Sequence, residues 1–528
     1  MNRRAFVMNT AVMTVTSLLL RSLGIVFRIF ISNRVGAEGM GLYQLVFSVY
    51  VLGTAFAAAG LTTAVTRMTA EALARKEPET AFRILRLSVG LCILFGCVSA
   101  GLLYGFSQPL ARLIGDRRAA SSLAVSGIAL PFIGISSCLK GYFMARRRAA
   151  PPSMAQIAEQ LTRIGGILLL LRLAGDCPLE EACRIIIIGD ALSETVCCGW
   201  LTAAYALDRR KLRKASPQSP PRVKRGLLRP LLAIAVPLTA GRYLTTGLRT
   251  VENVLVPAML TRFTRSDARS LAQFGAVKGM ALPLLFFPAA FLVTLSNLLV
   301  PELSDAHALG QKRQVTKLTG QSLHITMLGA MLIGCLFTVF GRELGQYLYH
   351  DETVGLLLQI LGPLAPVMYL DTVATGLLRG LGEQVRSLWY SAADSLLRLS
   401  LIPLLLPRFG ITGFLFVMLL SNLLTAFLST HRLLTVSHTP LEVGHWVLAP
   451  GLAASLAGGG YAALRRALSF PGGWMELMAG MSAVTGVYLV LLPALGGITS
   501  RDRQQLPRRK SHGAGIPQAE KKEQSSLQ

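Results

Sequence analysis

From Phe6 to Gly497 the chain alternates apolar runs of about 20 residues with short polar turns, the spacing of helices that cross a bilayer. The pattern predicts fourteen spans, at roughly 6–33, 41–66, 84–108, 119–144, 154–171, 184–207, 230–260, 273–301, 319–341, 353–378, 388–406, 410–430, 444–464 and 474–497. The first run is too long for a cleaved signal sequence, and its pattern recurs after it, so it reads as a span. Asp208 to Arg229, DRRKLRKASPQSPPRVKRGLLR, interrupts the series near mid-chain with nine basic residues among Pro and Ser. It reads as an exposed cytoplasmic linker able to touch anionic headgroups. After Gly497 the chain is polar and rich in Lys, Arg, Gln and Ser. It lacks the apolar residues to bury anything and is expected to be disordered.

The two halves flanking the linker repeat one another. Gly141 to Arg163 reads GYFMARRRAAPPSMAQIAEQLTR, and Gly376 to Arg398 reads GLLRGLGEQVRSLWYSAADSLLR. A shift of 235 that lays Gly141 on Gly376 also lays Glu159 on Asp394 and Arg163 on Arg398. Each half thus holds an acid and an arginine at i, i+4 inside a span, a spacing that shares one helix face. Arg242 and Arg249 match Arg21 and Arg28 at a shift of 221, the longer polar loop Thr261 to Ala272 absorbing the difference. Six spans separate equivalent elements, so the halves share one orientation and relate by an axis along the membrane normal. The expected fold is an all-α polytopic membrane protein of about 14 transmembrane helices. Its expected parts are a six-helix N-terminal lobe (1–207), the linker (208–229), a six-helix C-terminal lobe (230–434), two further helices (435–497) and a cytoplasmic tail (498–528).

Composition narrows the function. Hydrophobic residues make up 52% and charged residues 15% of the 528, and the formal net charge is +26. Such a charge can signal nucleic acid, but here the basic residues fall mostly in loops, where they set orientation instead. With the N-terminus inside, 31 of the 53 lysines and arginines fall on inner segments, 12 on outer loops and 10 in spans. Both termini are therefore expected on the cytoplasmic side of the cytoplasmic membrane. The eight cysteines lie mainly in apolar runs and form no metal-ligand pattern, so no metal or cofactor is expected. Cys177 and Cys183 share one short loop in which a pairing is open, though free thiols are expected. The outer loops are too short for the catalytic acids of a membrane glycosyltransferase or polymerase, and no enzyme is expected. With no soluble energising domain, coupling to ions or to the membrane potential is expected.

The chemistry concentrates in the charges that the spans carry. A charge at the centre of a membrane helix costs about 3 kcal/mol on insertion scales. Arg21 and Arg28 lie about 10 Å apart along one helix face, so they make a cationic stripe. Snorkelling to the interface would explain Arg28 better than Arg21. The other reading is a polar cavity that shows both arginines to an anion, since a guanidinium holds phosphates by paired hydrogen bonds. Glu252, one turn past Arg249, is expected to neutralise part of the matching stripe. Lys140, Arg86 and Arg184 lie near span ends, where they can snorkel. The pairs Glu159–Arg163 and Asp394–Arg398 read as structural ion pairs or as cavity groups. Asp190 and Glu194, acids at i, i+4, read as an ion- or proton-coupling pair or as a packing pair with raised pKa.

The segments RSLGIVFRIF, GAEGMGLYQLVFSVY, the GYF-to-EQLTR block, GMALPLLFFP, LVPELSDAHALG and the GITG turn resemble a known family. It is the stage V sporulation protein B and polysaccharide-exporter branch of the multidrug/oligosaccharidyl-lipid/polysaccharide flippase superfamily, matched over roughly residues 1 to 495. The resemblance implies twelve helices in two six-helix lobes with two more at the C-terminus. It also implies flipping of undecaprenyl-pyrophosphate-linked sugars, lipid II among them, by a monomer whose partners are that lipid-linked oligosaccharide and the surrounding lipids. In that family arginines on the first helix and in the cavity serve the pyrophosphate, a role that passes by position to Arg21, Arg28, Arg242 and Arg249. The alternative is a multidrug cation antiporter of the same superfamily fold, whose cavity should carry unpaired acids. Met144 and Arg146 to Arg148 stand where a more neutral turn is expected, and the second-half block lacks a counterpart of Pro151 and Pro152.

Overall fold

A computed structural model describes residues 3–58, 60–215, 226–467 and 473–497. The expectations for the tail 498–528, and for most of the linker, lie outside the described residues. In the first half the chain forms α1 (Arg3–Ala58), α2 (Leu61–Ala74), α3 (Pro78–Gly105), α4 (Ser107–Ile114), α5 (Ala119–Ser126), α6 (Ala129–Ala145), α7 (Ala150–Ala174) and α8 (Leu179–Ala215). The second half opens with α9 (Leu228–Thr264) and α10 (Asp267–Phe274), then a π-helical turn, Gly275–Ala281. It continues through α11 (Leu282–Ala308), α12 (Lys312–Tyr349), α13 (Glu352–Leu361), α14 (Ala365–Gly380) and α15 (Gln384–Ser437). A second π-helical turn, Gly444–Leu448, leads into α16 (Ala449–Ala467) and then α17 (Trp474–Ala494).

Ten of these stretches are long and apolar enough to cross a membrane, or eleven if α5 and α6, bent by 41°, count as one span. The fourteen predicted spans are compatible with that number. Two of the ten stretches join a pair of spans, and α7 adds another whose Glu159, Arg163 and Arg172 make it more polar than its neighbours. The joins fall at glycines in the left-handed region, Gly36 (φ 69°) in α1 and Gly410 (φ 56°) in α15, where a side chain would be strained. Gly175, which ends α7, has φ 65° and ψ −136°, and Gly410, 235 residues on, has φ 56° and ψ −135°. The shift found in the sequence thus recurs in the backbone. Helix α8 runs on to Ala215, so the first residues of the predicted linker are helical. All eight cysteines are free thiols, Cys177 and Cys183 included.

Lipid tails are as apolar as leucine, so helices in a bilayer associate by close packing, and small residues let backbones approach. That is how the two halves meet. A methyl group on Gly275 would collide with the carbonyl of Ala37, one on Gly41 with the carbonyl of Leu271, and one on Gly60 with the carbonyl of Ala235. Between these points Thr250 Oγ1 donates to the Ser48 carbonyl at 3.0 Å, and the Phe56 and Tyr243 rings meet at 6.3 Å. The Gly60 N–H donates to Thr239 Oγ1 at 3.0 Å. The second part of α1 and the start of α2 therefore follow α9 along one continuous seam. Fully buried Met40, Leu42, Leu45 and Phe274 pack beside it.

Candidate functional site

The first part of α1 is amphipathic in the sense a membrane requires. Val15 and Val26 are 63% and 65% exposed, Leu19 and Phe30 are exposed as well, and at 100° per residue the four share one face. Arg21 and Arg28 lie on the opposite face, with Gly24 between them against Gln160 of α7. An exposed apolar strip belongs against lipid, so the arginines point into the protein. Their situations differ. Arg28 donates from Nε to the Gly279 carbonyl at 2.9 Å and from Nη2 to Gln44 Oε1 at 3.0 Å. It closes on the π-helical turn of the second half and does not snorkel. Arg21 is exposed and has no hydrogen-bond or ion-pair partner among the described residues.

Helix α9 repeats the arrangement. Gly247 and Thr250 face the seam, Gly241 and Glu252 face α15, and exposed Leu244 and Val251 form an apolar flank. Arg242 and Arg249 occupy the other flank, with Thr246 and Asn253, and both are exposed. Glu252 interacts electrostatically with Arg249, as expected, but serves other cations more directly. It lies about 60° further round the helix from the Arg249 flank and is buried. There it takes Lys278 Nζ at 2.8 Å and Arg398 Nη1 at 3.5 Å. Glu252 therefore divides its charge among Lys278, Arg398 and Arg249, and Arg242 is the freer arginine of the second stripe.

Behind the stripes lie two ion networks built from the predicted pairs. In the first half Arg163 pairs with Glu159 one turn before it, at 3.0 Å. It also reaches across to α8, 2.7 Å from Asp190 and 3.9 Å from Glu194. Tyr43 donates to Asp190 at 3.4 Å, and Lys140 Nζ stands 3.6 Å from Glu159. Lys140 thus points into this network and not to the interface, the correction being that a partner lies within reach. Three carboxylates face two cations, a formal charge of −1. Glu159, Glu194 and Cys197 bring ligand atoms within 4.8 Å of one another, yet the Lys140 ammonium already stands among them, which disfavours a metal ion.

In the second half Arg398 pairs with Asp394 at 3.2 Å and with Glu252, which also holds Lys278. Ser421 bonds both Asp394 and Arg398, and Lys278 lies over the Phe414 ring at 5.7 Å. Two carboxylates meet two cations, so this network is balanced, while Asp371 is held apart by Ser429 at 2.8 Å. The i, i+4 halves of both networks were readable from spacing. Tyr43, Lys278 and Ser421 were not, because the contacts that recruit them run between helices.

Polar clamps fix the helix ends around this core. Arg118 bonds Asp116 and Glu38, each at 2.8 Å, and these bonds hold its guanidinium above the usual arginine pKa. Asn33 donates to the Leu348 carbonyl at 2.9 Å, a further link between the halves. At the far ends of α6 and α8, buried Asp208 accepts from Tyr142 at 2.8 Å, Arg146 at 3.1 Å and Arg148 at 2.6 Å. The unusual basic turn therefore has a local task, anchoring the helix that leads into the linker. Near the equivalent turn of the second half the signs are exchanged, with Glu383 accepting from Arg432 at 2.6 Å.

Residues 6–295 match the family described as "Polysaccharide biosynthesis protein". Stage V sporulation protein B of Bacillus subtilis (strain 168) is 23% identical over 514 residues, covering 96% of this chain and 98% of that protein. Among solved structures, lipid II flippase MurJ in an inward closed conformation superposes with a TM-score of 0.68 at 13% identity, over 91% of this chain and 97% of that one. The inward-facing conformation of a multidrug resistance MATE family transporter of the MOP superfamily gives 0.65 at 14% identity, over 81% and 100%.

Proposed function

Because the chain belongs to the polysaccharide biosynthesis protein family, we propose that it flips undecaprenyl-pyrophosphate-linked precursors of cell-wall or capsular glycans, lipid II-like in chemistry, across the cytoplasmic membrane. The chain is a multi-pass helical membrane protein with the fold of the MOP superfamily transporters. The observation that carries the substrate reading is the placement of Arg21: a cation inside a span, turned away from the lipid face and without a bonding partner among the described residues. Arg242 and Arg249 offer the same chemistry from α9. Arg21, Arg28 and Arg242, which have no acidic partner among the described residues, together with Arg249, whose charge Glu252 only shares, suit a pyrophosphate, which presents paired acceptors.

Alternating access would work through the contact that Arg28 makes. While Nε holds the Gly279 carbonyl the halves are joined on that side, and a phosphate oxygen competing for Arg28 would loosen them. The polyprenyl tail would stay in lipid while the head group crosses between the halves. Asp190 and Glu194, in the network with the unbalanced negative charge, are the groups proposed to take a proton or cation in exchange. Membrane potential could also drive the step, at about 2.3 kcal/mol per charge per 100 mV. Both termini would lie in the cytoplasm, and the working unit would be a monomer.

A multidrug or cation antiporter is the second reading, favoured by the net −1 of the first-half network. It requires a cation to reach acids that Arg163 and Lys140 already occupy. Complementation of cells depleted of their lipid II flippase separates the two. Rescue supports the flippase, and drug resistance without rescue supports the antiporter.

A further inference from the structure

Tyr43 and Gln44 are neighbours on the second part of α1, and they serve different partners. Gln44 Oε1 accepts from Arg28 Nη2 at 3.0 Å, beside the bond from Arg28 Nε to the Gly279 carbonyl. Tyr43 Oη donates to Asp190 of α8 at 3.4 Å, and the Tyr43 ring stacks on Phe47 at 5.7 Å. The same hydroxyl lies within electrostatic reach of Arg28. It therefore stands between the acid network of the first half and the arginine that joins α1 to the π-helical turn.

Two features suit this hydroxyl to carry a signal. An O–H···O bond is usually about 2.5–3.0 Å long, so at 3.4 Å a small movement makes or breaks it. A phenol is also two-sided, since its oxygen accepts where its hydrogen does not point. While Asp190 is anionic, the hydrogen is held on the carboxylate and the oxygen is left to face the Arg28 cation. Once Asp190 is neutral, that hydrogen can turn toward Arg28, where it opposes a guanidinium that only donates. Facing Asp190 besides Tyr43 are Arg163 and Glu159 of α7, Glu194 one turn on, and Tyr50 of α1. Lys140 of α6 adds its charge through Glu159. Facing Arg28 besides Tyr43 are Gln44 and, from α12, Tyr349, which donates to the Met280 carbonyl at 3.2 Å. Of these groups, Tyr43 faces both.

We propose that Tyr43, with Gln44 beside it, couples the charge state of Asp190 to the Arg28–Gly279 contact. The proposal rests on the flippase reading above, in which Arg28 gives up Gly279 to a phosphate. Uptake of a proton or cation at Asp190 would release the same contact by a second route. Exchange requires this: the lipid-linked phosphate opens the contact on one journey, and the ion opens it on the return. A contact whose two states both sites bias is the element that coupling between them needs. Tyr43 and Gln44 are positioning residues, acting on the transported molecule through Arg28.

Ser32, one turn past Arg28 on the same face, is buried, so a cysteine there reports whether the contact is closed. In purified full-length protein freed of its own cysteines, Ser32→Cys is labelled with a hydrophilic maleimide at one fixed pH. Asp190→Asn, which removes the negative charge, should speed labelling about tenfold, within the usual range for coupled sites. Tyr43→Phe keeps the ring and loses the hydroxyl, so in that background Asp190→Asn should change the rate by less than about twofold. If Tyr43 merely packs, Asp190→Asn acts equally in both backgrounds, a result that would overturn the proposal. Unchanged labelling in folded Asp190→Asn would overturn it too. If Asp190→Asn fails to fold, the tyrosine and Tyr43→Phe forms are compared as the pH is lowered. Labelling of the tyrosine form should then rise relative to the other, and parallel profiles would contradict the coupling. No lipid takes part in this measurement, so its failure is distinct from failure of the flippase reading, which a transport assay tests.

Discussion

Arg28 donates from Nε to the carbonyl oxygen of Gly279, 251 residues further along the chain, at 2.9 Å. One bond from a membrane-embedded cation thus joins the first-half helix α1 to the π-helical turn of the second half. Seven residues away on the same face, Arg21 bonds nothing among the described residues. The two arginines, alike in sequence, should therefore fail in different ways.

Arg21→Ala is expected to leave the melting temperature unchanged and to abolish transport. Arg28→Ala should lose transport and also about 1.5–3 kcal/mol of stability, the range for hydrogen bonds to charged groups. Arg21→Lys should rescue only partly, because a point charge replaces a planar fork. Thermal unfolding of purified protein beside a transport assay checks all three. Equal melting losses for Arg21→Ala and Arg28→Ala would refute the difference.

The two networks should respond differently to paired mutations. Removing one partner of a buried ion pair costs about 3–5 kcal/mol, since the other charge is stranded. Asp394→Ala/Arg398→Ala leaves Glu252 with Lys278, so much of the loss in Arg398→Ala should be recovered. Glu159→Ala/Arg163→Ala leaves Asp190 and Glu194 without Arg163, so little should be recovered. Double-mutant cycles in purified protein measure this, and equal recovery on the two sides would contradict the networks as drawn.

Gly275 has no room for a side chain beside the Ala37 carbonyl. Gly275→Val should force α1 and the π-helical turn apart, at about 1–3 kcal/mol for overpacking. A cysteine pair across the seam, at Ala37 and Ala276, should cross-link readily in the parent protein and poorly with Gly275→Val. Unaltered cross-linking would show that the seam is looser than described.

What the sequence conveyed, and what it did not, divides along one physical line. Relations within a helix were readable: the common face of Arg21 and Arg28, and the acid four residues before Arg163 and Arg398, seen at 3.0 and 3.2 Å. The shift of 235 was readable too, and the matching backbone angles at Gly175 and Gly410 repeat it. Relations between helices were not. Nothing local says that Arg163 chooses Asp190, or that Glu252, beside Arg249, also takes Lys278 and Arg398. The π-helical turn at Gly275 has no signature in residue type. The breaks between spans at Gly36 and Gly410 were readable as well, and the backbone turns out of the helix at both.

Orientation is open to a direct check that rests on the 31 to 12 distribution of basic residues. In a cysteine-free background, Ser216→Cys should resist an impermeant thiol reagent added to intact cells, whereas Ser266→Cys should label. Labelling at position 216 from outside would reverse the topology.

The central claim is that free arginines on α1 and α9 carry a lipid-linked pyrophosphate across the membrane. Its most direct measurement is the transbilayer movement of a fluorescent undecaprenyl-pyrophosphate-linked sugar in proteoliposomes that hold the purified protein. Wild type should move the label to the opposite leaflet, and Arg21→Ala, at equal protein per vesicle, should not. Equal rates in the Arg21→Ala vesicles, or none in the wild type under an imposed membrane potential and ion gradient, would contradict the claim.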